Sequence, residues 1–68
     1  MVDTNMLKGK IAAAGYTQQK LAIKAGMSTN ALNAKINGRK TFDADEVIRI
    51  CDVLGIVNPK EKCEIFLR

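Results

Sequence analysis

The sequence contains no histidine and no tryptophan, and aromatic residues make up only 4% of its 68 residues. Histidine is the commonest general base and the commonest metal ligand, so its absence removes the usual centre of a catalytic or metal site. Neither a glycine-rich phosphate loop nor a pair of carboxylates at active-site spacing occurs. A chain this short has room for one modest core and for no sizeable pocket. We therefore expect no enzyme activity, no catalytic residue, no metal site, no cofactor and no small-molecule ligand.

Cysteine and long apolar runs are also scarce. Cys51 and Cys63 are the only cysteines, too few for a convincing zinc site or redox motif at their separation. No apolar stretch approaches the length needed to span a membrane. The N-terminus carries the acidic Asp3 and lacks the apolar region of a signal peptide. We therefore expect reduced thiols, no membrane partner and a place inside the cell.

Acidic residues are scarce in one part of the chain only. Residues 1–41 hold seven Lys/Arg and one Asp (+6), whereas residues 42–68 hold four Lys/Arg and six Asp/Glu (−2), which together give the net charge of +4. A basic half favours contact with phosphates. A solvated face with chance asymmetry is the alternative, and the charge pattern alone does not decide between them.

Two short helical patterns follow one another over about residues 17–37. Thr17 predicts the cap of the first, in which Leu21 and Ala25 lie one turn apart on a single face. Gly26 then stands where the chain must stop and reverse, a place that often needs a positive φ.

Ser28 predicts the cap of the second helix, whose buried stripe is Leu32 and Ile36 and which ends at Asn37-Gly38. The small Ala22 suits the crossing of the two helices. This arrangement predicts a helix-turn-helix.

Three further helices are predicted around this pair. The first begins at about Asn5, after a loose start, and buries Leu7, Ile11 and Ala14. The fourth begins at a capping box and buries one stripe at helical spacing, formed by Val47, Ile50, Cys51 and Leu54. The fifth begins at Asn58-Pro59. The expected fold is therefore a single all-α domain over residues 1–68, a compact bundle of about five short helices.

The C-terminal tail, residues 58–68, ends in the apolar residues Ile65, Phe66 and Leu67. These side chains either close the core or form a dimer contact. Whether residues 64–68 are helical or extended is open from the sequence.

Polar side chains at the start of the third helix point away from its buried stripe. Thr29 and Asn30 lie in its first turn, and Asn33 and Ala34 lie about one turn further on. An asparagine amide pairs bidentately with adenine, and threonine contacts a base or a thymine methyl. Such residues also serve as helix caps. Because Ser28 already fills the cap, we favour DNA contact.

Cations flank this helix on its C-terminal side. Lys35 lies beside the buried stripe, where its stem can follow the core edge and carry the ammonium to a phosphate. Arg39 and Lys40 follow in a loop, which favours a grip on the sugar-phosphate backbone over simple solvation.

The pattern G-Y-T-Q-x-x-L-A-x-x-x-G-M-S, then N-A-L-N-x-x-I-N-G and F-D-A-D-E, resembles the Cro/repressor-type, or XRE-like, helix-turn-helix family of phages and integrated bacterial elements. The resemblance covers roughly residues 5–57. It implies a five-helix, lambda repressor-like domain that binds double-stranded operator DNA, usually as a homodimer. It also implies that Gln18 anchors a phosphate. Two departures concern Ala34, which offers only an apolar contact, and Lys35, which stands where an apolar residue is common.

Together these observations predict a sequence-specific transcription regulator of the bacterial cytoplasm or nucleoid. The expected base contacts are Thr29, Asn30, Asn33 and Ala34. The expected backbone contacts are Gln18, Ser28, Lys35, Asn37, Arg39 and Lys40. The alternative, suggested by the apolar tail, is an antitoxin-like or anti-repressor module that uses the same fold to bind another protein.

Overall fold

The computed structural model describes residues 2–66 and folds them into five α-helices joined by short loops. In chain order the helices are α1 (Thr4–Ala13), α2 (Gln18–Ala25), α3 (Thr29–Ile36), α4 (Ala44–Leu54) and α5 (Pro59–Phe66). Residues 2–66 contain no strand. The all-α class and the five short helices predicted from the sequence are confirmed.

The helices begin where capping side chains stand. The Thr17 hydroxyl accepts a hydrogen bond from the backbone N–H of Lys20 at 3.1 Å, and the Ser28 hydroxyl accepts one from Ala31 at 3.1 Å. At the start of α4, Asp43 and Glu46 exchange side-chain and backbone hydrogen bonds of 2.8 and 2.9 Å, which completes the predicted capping box. These contacts satisfy N–H groups that a helix start leaves without partners.

One core lies between the helices, and every helix contributes to it. Helix α2 packs against both α3 and α4, while α1 contacts α3 and α5. The largest fully buried side chains are Leu7, Leu21, Leu32, Ile36, Ile50, Ile65 and Cys51. The buried stripes predicted for α2 and α3 are therefore confirmed. In α4 the predicted stripe is confirmed for Ile50 and Cys51, whereas Val47 and Leu54 are only half-buried against the core.

The N-terminus corrects the expectation of a loose start. The Asp3 side chain caps α1 by accepting from the Met6 N–H at 3.0 Å, and its own N–H donates to the Ile65 carbonyl at 2.6 Å. The Thr4 hydroxyl donates to the Ile36 carbonyl at 2.6 Å, so the first residue of α1 contacts the end of α3. The Asp3 cap is a local contact and explains the start of α1 at Thr4, whereas the contacts with Ile65 and Ile36 come from distant helices and hold the first residues in place. Ala14, predicted to be buried, is exposed at the end of α1.

The tail continues as helix through Phe66 and closes the core. Ile65 is 0% and Phe66 8% exposed, and the Phe66 ring meets Phe42 edge to face with centroids 5.4 Å apart. Ile65 and Phe66 therefore pack in the core, which is one of the two roles left open for them. The dimer contact predicted for the tail stays a prediction. Leu67 lies outside the described residues.

Candidate nucleic-acid interface

Helices α2 and α3 are joined by the three residues Gly26–Ser28. Gly26 has φ +70°, which the absence of a Cβ makes inexpensive, and it turns the chain sharply at the end of α2. The Met27 N–H donates to the Ala22 carbonyl at 2.8 Å, which closes the end of α2. Because Leu32 and Ile36 of α3 are fully buried, the opposite side of α3 faces outward.

The first turn of α3 offers polar side chains to solvent. Thr29 and Asn30 are exposed, whereas Asn33 and Ala34, one turn further on, are half-buried. The Asn37 amide nitrogen donates to the Asn33 amide oxygen at 3.0 Å, so one acceptor of Asn33 is already in use. Of the two asparagines within α3, Asn30 is therefore better placed for a bidentate contact.

The loop after α3 folds back onto its last turn. The backbone N–H groups of Arg39 and Lys40 donate to the Ala34 carbonyl at 2.8 and 3.3 Å, respectively. Gly38 has φ +81°, which allows this reversal. Both cationic side chains are exposed. The loop therefore holds two charges beside the last turn of α3.

The starts of α2 and α3 carry no carboxylate. Acidic side chains are absent from the first turn of both helices, whereas α4 and α5 each have them there. Residues 4–42 contain no Asp or Glu at all. A helix N-terminus carries positive partial charge, and without a nearby carboxylate that charge is left for an external anion. Gln18, the first residue of α2, is half-buried at such an end.

Lys35 has a different surrounding from the one that the sequence suggested. Its ammonium forms an ion pair with the Glu46 carboxylate, and the two side chains are only 15% and 10% exposed, respectively. Helix α4 brings Glu46 beside the last turn of α3, which the order of residues along the chain does not reveal. Lys35 is therefore directed toward a neighbouring helix, and we leave it out of the candidate interface.

A second ion pair joins Lys10 of α1 to Glu61 of α5, with side chains 39% and 38% exposed. The two pairs each match a cation of the basic half with a carboxylate of the acidic half. Among residues 2–41, the exposed cations that take part in neither pair are Lys8, Lys20, Lys24, Arg39 and Lys40. The sequence predicted Arg39 and Lys40 as contacts to the DNA backbone but did not single out Lys20 and Lys24. The only feature of the sequence that could have indicated these two lysines is their position on the side of α2 opposite its buried residues.

Other chemistry is limited in the part of the chain that the structure describes. It contains no group of three or more His, Cys, Asp or Glu residues arranged to hold a metal ion. A depression of about 130 Å³ lies on the surface, lined by Val2, Gly38, Lys40, Thr41, Phe42 and Phe66. None of the helices in residues 2–66 is long and apolar enough to span a membrane.

The two cysteines differ in their surroundings. Both are free thiols, with Cys51 buried in the core and Cys63 exposed on α5. Burial raises the pKa of the Cys51 thiol, nearby Lys62 opposes that rise and Asp52 adds to it. Cys51 therefore stays neutral and acts as a small apolar side chain.

Residues 2–66 thus form a small five-helix fold in which α2 and α3 carry no carboxylate of their own and expose several cations. The chain belongs to the DUF739 family, described as proteins of unknown function, whose family model matches residues 1–67. A search of curated proteins finds no match.

Proposed function

We propose that this protein is a sequence-specific DNA-binding transcription regulator in which α2 and α3 act as a helix-turn-helix and α3 reads the major groove. The observation that carries this proposal is the outward face of α3. Its first turn exposes Thr29 and Asn30, contains no carboxylate, and is followed by a loop with two exposed cations. Such a protein works in the bacterial cytoplasm or nucleoid, where operator DNA is found.

Affinity in this proposal comes mainly from phosphate contacts. Lys and Arg side chains at phosphates release counterions from the DNA, which gives binding without sequence preference. Arg39 and Lys40 lie beside the end of α3, and the exposed Lys20 and Lys24 lie on α2. Gln18, Ser28 and Asn37 add uncharged hydrogen-bonding groups at the ends of the two helices.

Sequence preference in this proposal comes from α3. Asn30 supplies an amide that matches the edge of adenine, and Thr29 supplies a hydroxyl and a methyl group. Asn33 keeps its amide donors for a base while its oxygen accepts from Asn37. Ala34 provides a small apolar surface suited to a thymine methyl.

We expect two copies to bind together on an operator of two-fold symmetry. Half-sites would then lie about one helical turn, roughly 34 Å, apart along the DNA. The buried Ile65 and Phe66 leave other side chains to form the contact between copies.

The alternative function, an antitoxin-like or anti-repressor module, was suggested by the apolar tail. The tail gives this alternative little support, because two of the three apolar side chains of the tail are buried within the chain. We therefore keep DNA binding as the proposed function.

Selection from a random double-stranded DNA library, at about physiological salt, tests this proposal. An enriched palindrome with half-sites one turn apart is the expected result. Salt-sensitive binding with no enriched motif would mean that the cations only grip the backbone, and it would overturn the regulator function. A protein partner would then have to be sought.

A further inference from the structure

Glu46 is the one buried charged side chain among residues 2–66, with 8% of its surface exposed. Both of its carboxylate oxygens are occupied. One accepts from the Asp43 backbone N–H at 2.9 Å, and the other accepts from the Lys35 ammonium. Glu46 therefore links the capping box of α4 to the last turn of α3.

Lys35 is the only charged residue of α3. It directly follows Ala34, which belongs to the candidate interface. With its side chain 15% exposed, the ammonium is held between two helices. The Lys10 side chain in the other ion pair is 39% exposed and so has direct access to solvent. The two pairs have the same chemistry, but only the pair at α3 removes a cation from the surface.

Stability gives little reason for a buried pair at this place. Replacing such a pair with apolar side chains is often neutral or stabilising, because desolvation offsets the attraction between the charges. What the pair does achieve is to fix one cation at a defined position between α3 and α4, with its ammonium bound to a carboxylate.

From these contacts we infer that Glu46 restrains the Lys35 ammonium and so limits the sequence-independent affinity of the α3 surface for DNA phosphates. The inference rests on the proposed function. It makes Glu46 a positioning residue that acts through Lys35 and does not itself contact DNA. The surface around α3 then keeps uncharged groups for base contact, while the phosphate contacts come from α2 and the loop after α3.

The experiment measures the dissociation constant for an unrelated DNA duplex as a function of salt concentration. The slope of log affinity against log salt is negative, and each cation that contacts a phosphate adds about 0.9 to its magnitude. Lys35→Gln should leave the slope unchanged, because the ammonium is already withheld. Lys40→Gln is the matched control on the exposed loop and should lower the magnitude of the slope by about 0.9.

Glu46→Gln is the converse test. Glutamine retains the capping box, because its amide oxygen can still accept from the Asp43 N–H. Freeing Lys35 should raise the magnitude of the slope by about 0.9. At about 0.1 M salt this corresponds to an affinity gain of up to about eightfold. The double variant Lys35→Gln/Glu46→Gln should return to the wild-type slope. Glu61→Gln changes the net charge equally and should leave the slope unchanged.

A smaller magnitude of the slope with Lys35→Gln would overturn the inference, since Lys35 would then contact phosphate in the wild-type protein. An unchanged slope with a folded Glu46→Gln protein would overturn it as well. Circular dichroism of each variant checks folding, and Lys35→Gln tests the inference by itself if Glu46→Gln does not fold. A wild-type protein without salt-dependent binding would remove the proposed function itself, an outcome separate from both.

Discussion

Helices α3 and α5 have the same length and begin in the same way, yet they differ in what they bury and in what they expose. Each has eight residues and follows a residue whose side chain accepts from a backbone N–H of the first turn: Ser28 before α3 and Asn58 before α5. In α3 the buried residues Leu32 and Ile36 lie one turn apart, whereas in α5 Ile65 and Phe66 are adjacent at the end. Helix α3 is thus fixed along its length, and α5 is anchored by its last turn.

The exposed sides of the two helices differ in charge. Helix α3 has no acidic residue, and its single cation is held by Glu46. Helix α5 carries Lys60, Glu61, Lys62 and Glu64, so charges of both signs lie close together. A phosphate meets neutral hydrogen-bonding groups on α3 but nearby carboxylates on α5. This comparison favours α3 as a binding surface and α5 as the element that closes the core.

The largest expected effect comes from removing a core side chain from either helix. Leu32→Ala and Ile65→Ala should each lower the free energy of unfolding by about 2–5 kcal/mol, because both side chains are fully buried. A domain of this size has about 3–10 kcal/mol in total, so either variant is close to unfolding. Urea denaturation measures the loss. A loss below about 1 kcal/mol for Ile65→Ala would mean that α5 is an accessory to the core.

The next effect separates the exposed faces of the two helices. Asn30→Ala on α3 should cost about 1–3 kcal/mol of binding at one base position of the selected DNA, because it removes the amide contact. Glu64→Ala on α5 is the matched exposed control and should leave the base preference unchanged. Binding to single-base variants of the selected site measures both. If Asn30→Ala keeps the wild-type preference at every position, Asn30 is not a reading residue.

The caps should behave alike in stability and differently in binding. Ser28→Ala and Asn58→Ala each remove a side-chain acceptor and should cost about 1 kcal/mol of unfolding free energy. Only Ser28→Ala should also weaken DNA binding, since Ser28 starts the proposed reading helix. Ser28→Asn keeps a capping side chain and should restore stability in thermal melts. Equal loss of DNA affinity from Asn58→Ala would contradict the division between the helices.

The smallest effect concerns the thiols. Cys63 on α5 should react rapidly with iodoacetamide at neutral pH, whereas the buried Cys51 should react only as the protein opens. Because burial raises the pKa of Cys51 above its ordinary value of 9.0, the unfolded chain loses that proton first as the pH rises. The free energy of unfolding should therefore fall as the pH rises through and above 9.0.

Mass spectrometry of the labelled protein distinguishes the two thiols. Cys51→Ala should reduce the decrease in stability at high pH relative to the wild-type protein. Rapid labelling of Cys51 in the folded protein would contradict its place in the core.

The five helices and the starts of α2, α3 and α4 could be predicted from the sequence because their signals are local. Thr17, Ser28 and Asp43 act on backbone groups within three residues, and the glycine at each reversal acts on its own φ angle. The exposure of Thr29 and Asn30 likewise follows from helical spacing once the buried stripe is known. Ala14 was misplaced because helical spacing alone did not show that α1 ends before it.

The partners of charged side chains could not be predicted in the same way. Helical spacing indicated only that Lys35 lies beside a buried stripe; the carboxylate next to it comes from another helix. The Lys10 ammonium likewise pairs with a carboxylate from another helix, that of Glu61 in α5. Both lysines add to the positive charge counted along the sequence, yet the fold gives each a carboxylate partner.

The sequence by itself determined the five helices, the caps at Thr17, Ser28 and Asp43 and most of the buried side chains of α2 and α3, since these depend on residues a few positions apart. Tertiary structure decided which cations remain at the surface, where the N-terminus is held and how the tail is used. The deciding contacts join residues 11, 51 and 32 positions apart, namely Lys35 with Glu46, Lys10 with Glu61 and Thr4 with Ile36. Such pairs form only when packing of the whole core brings distant helices together, because no local preference specifies them.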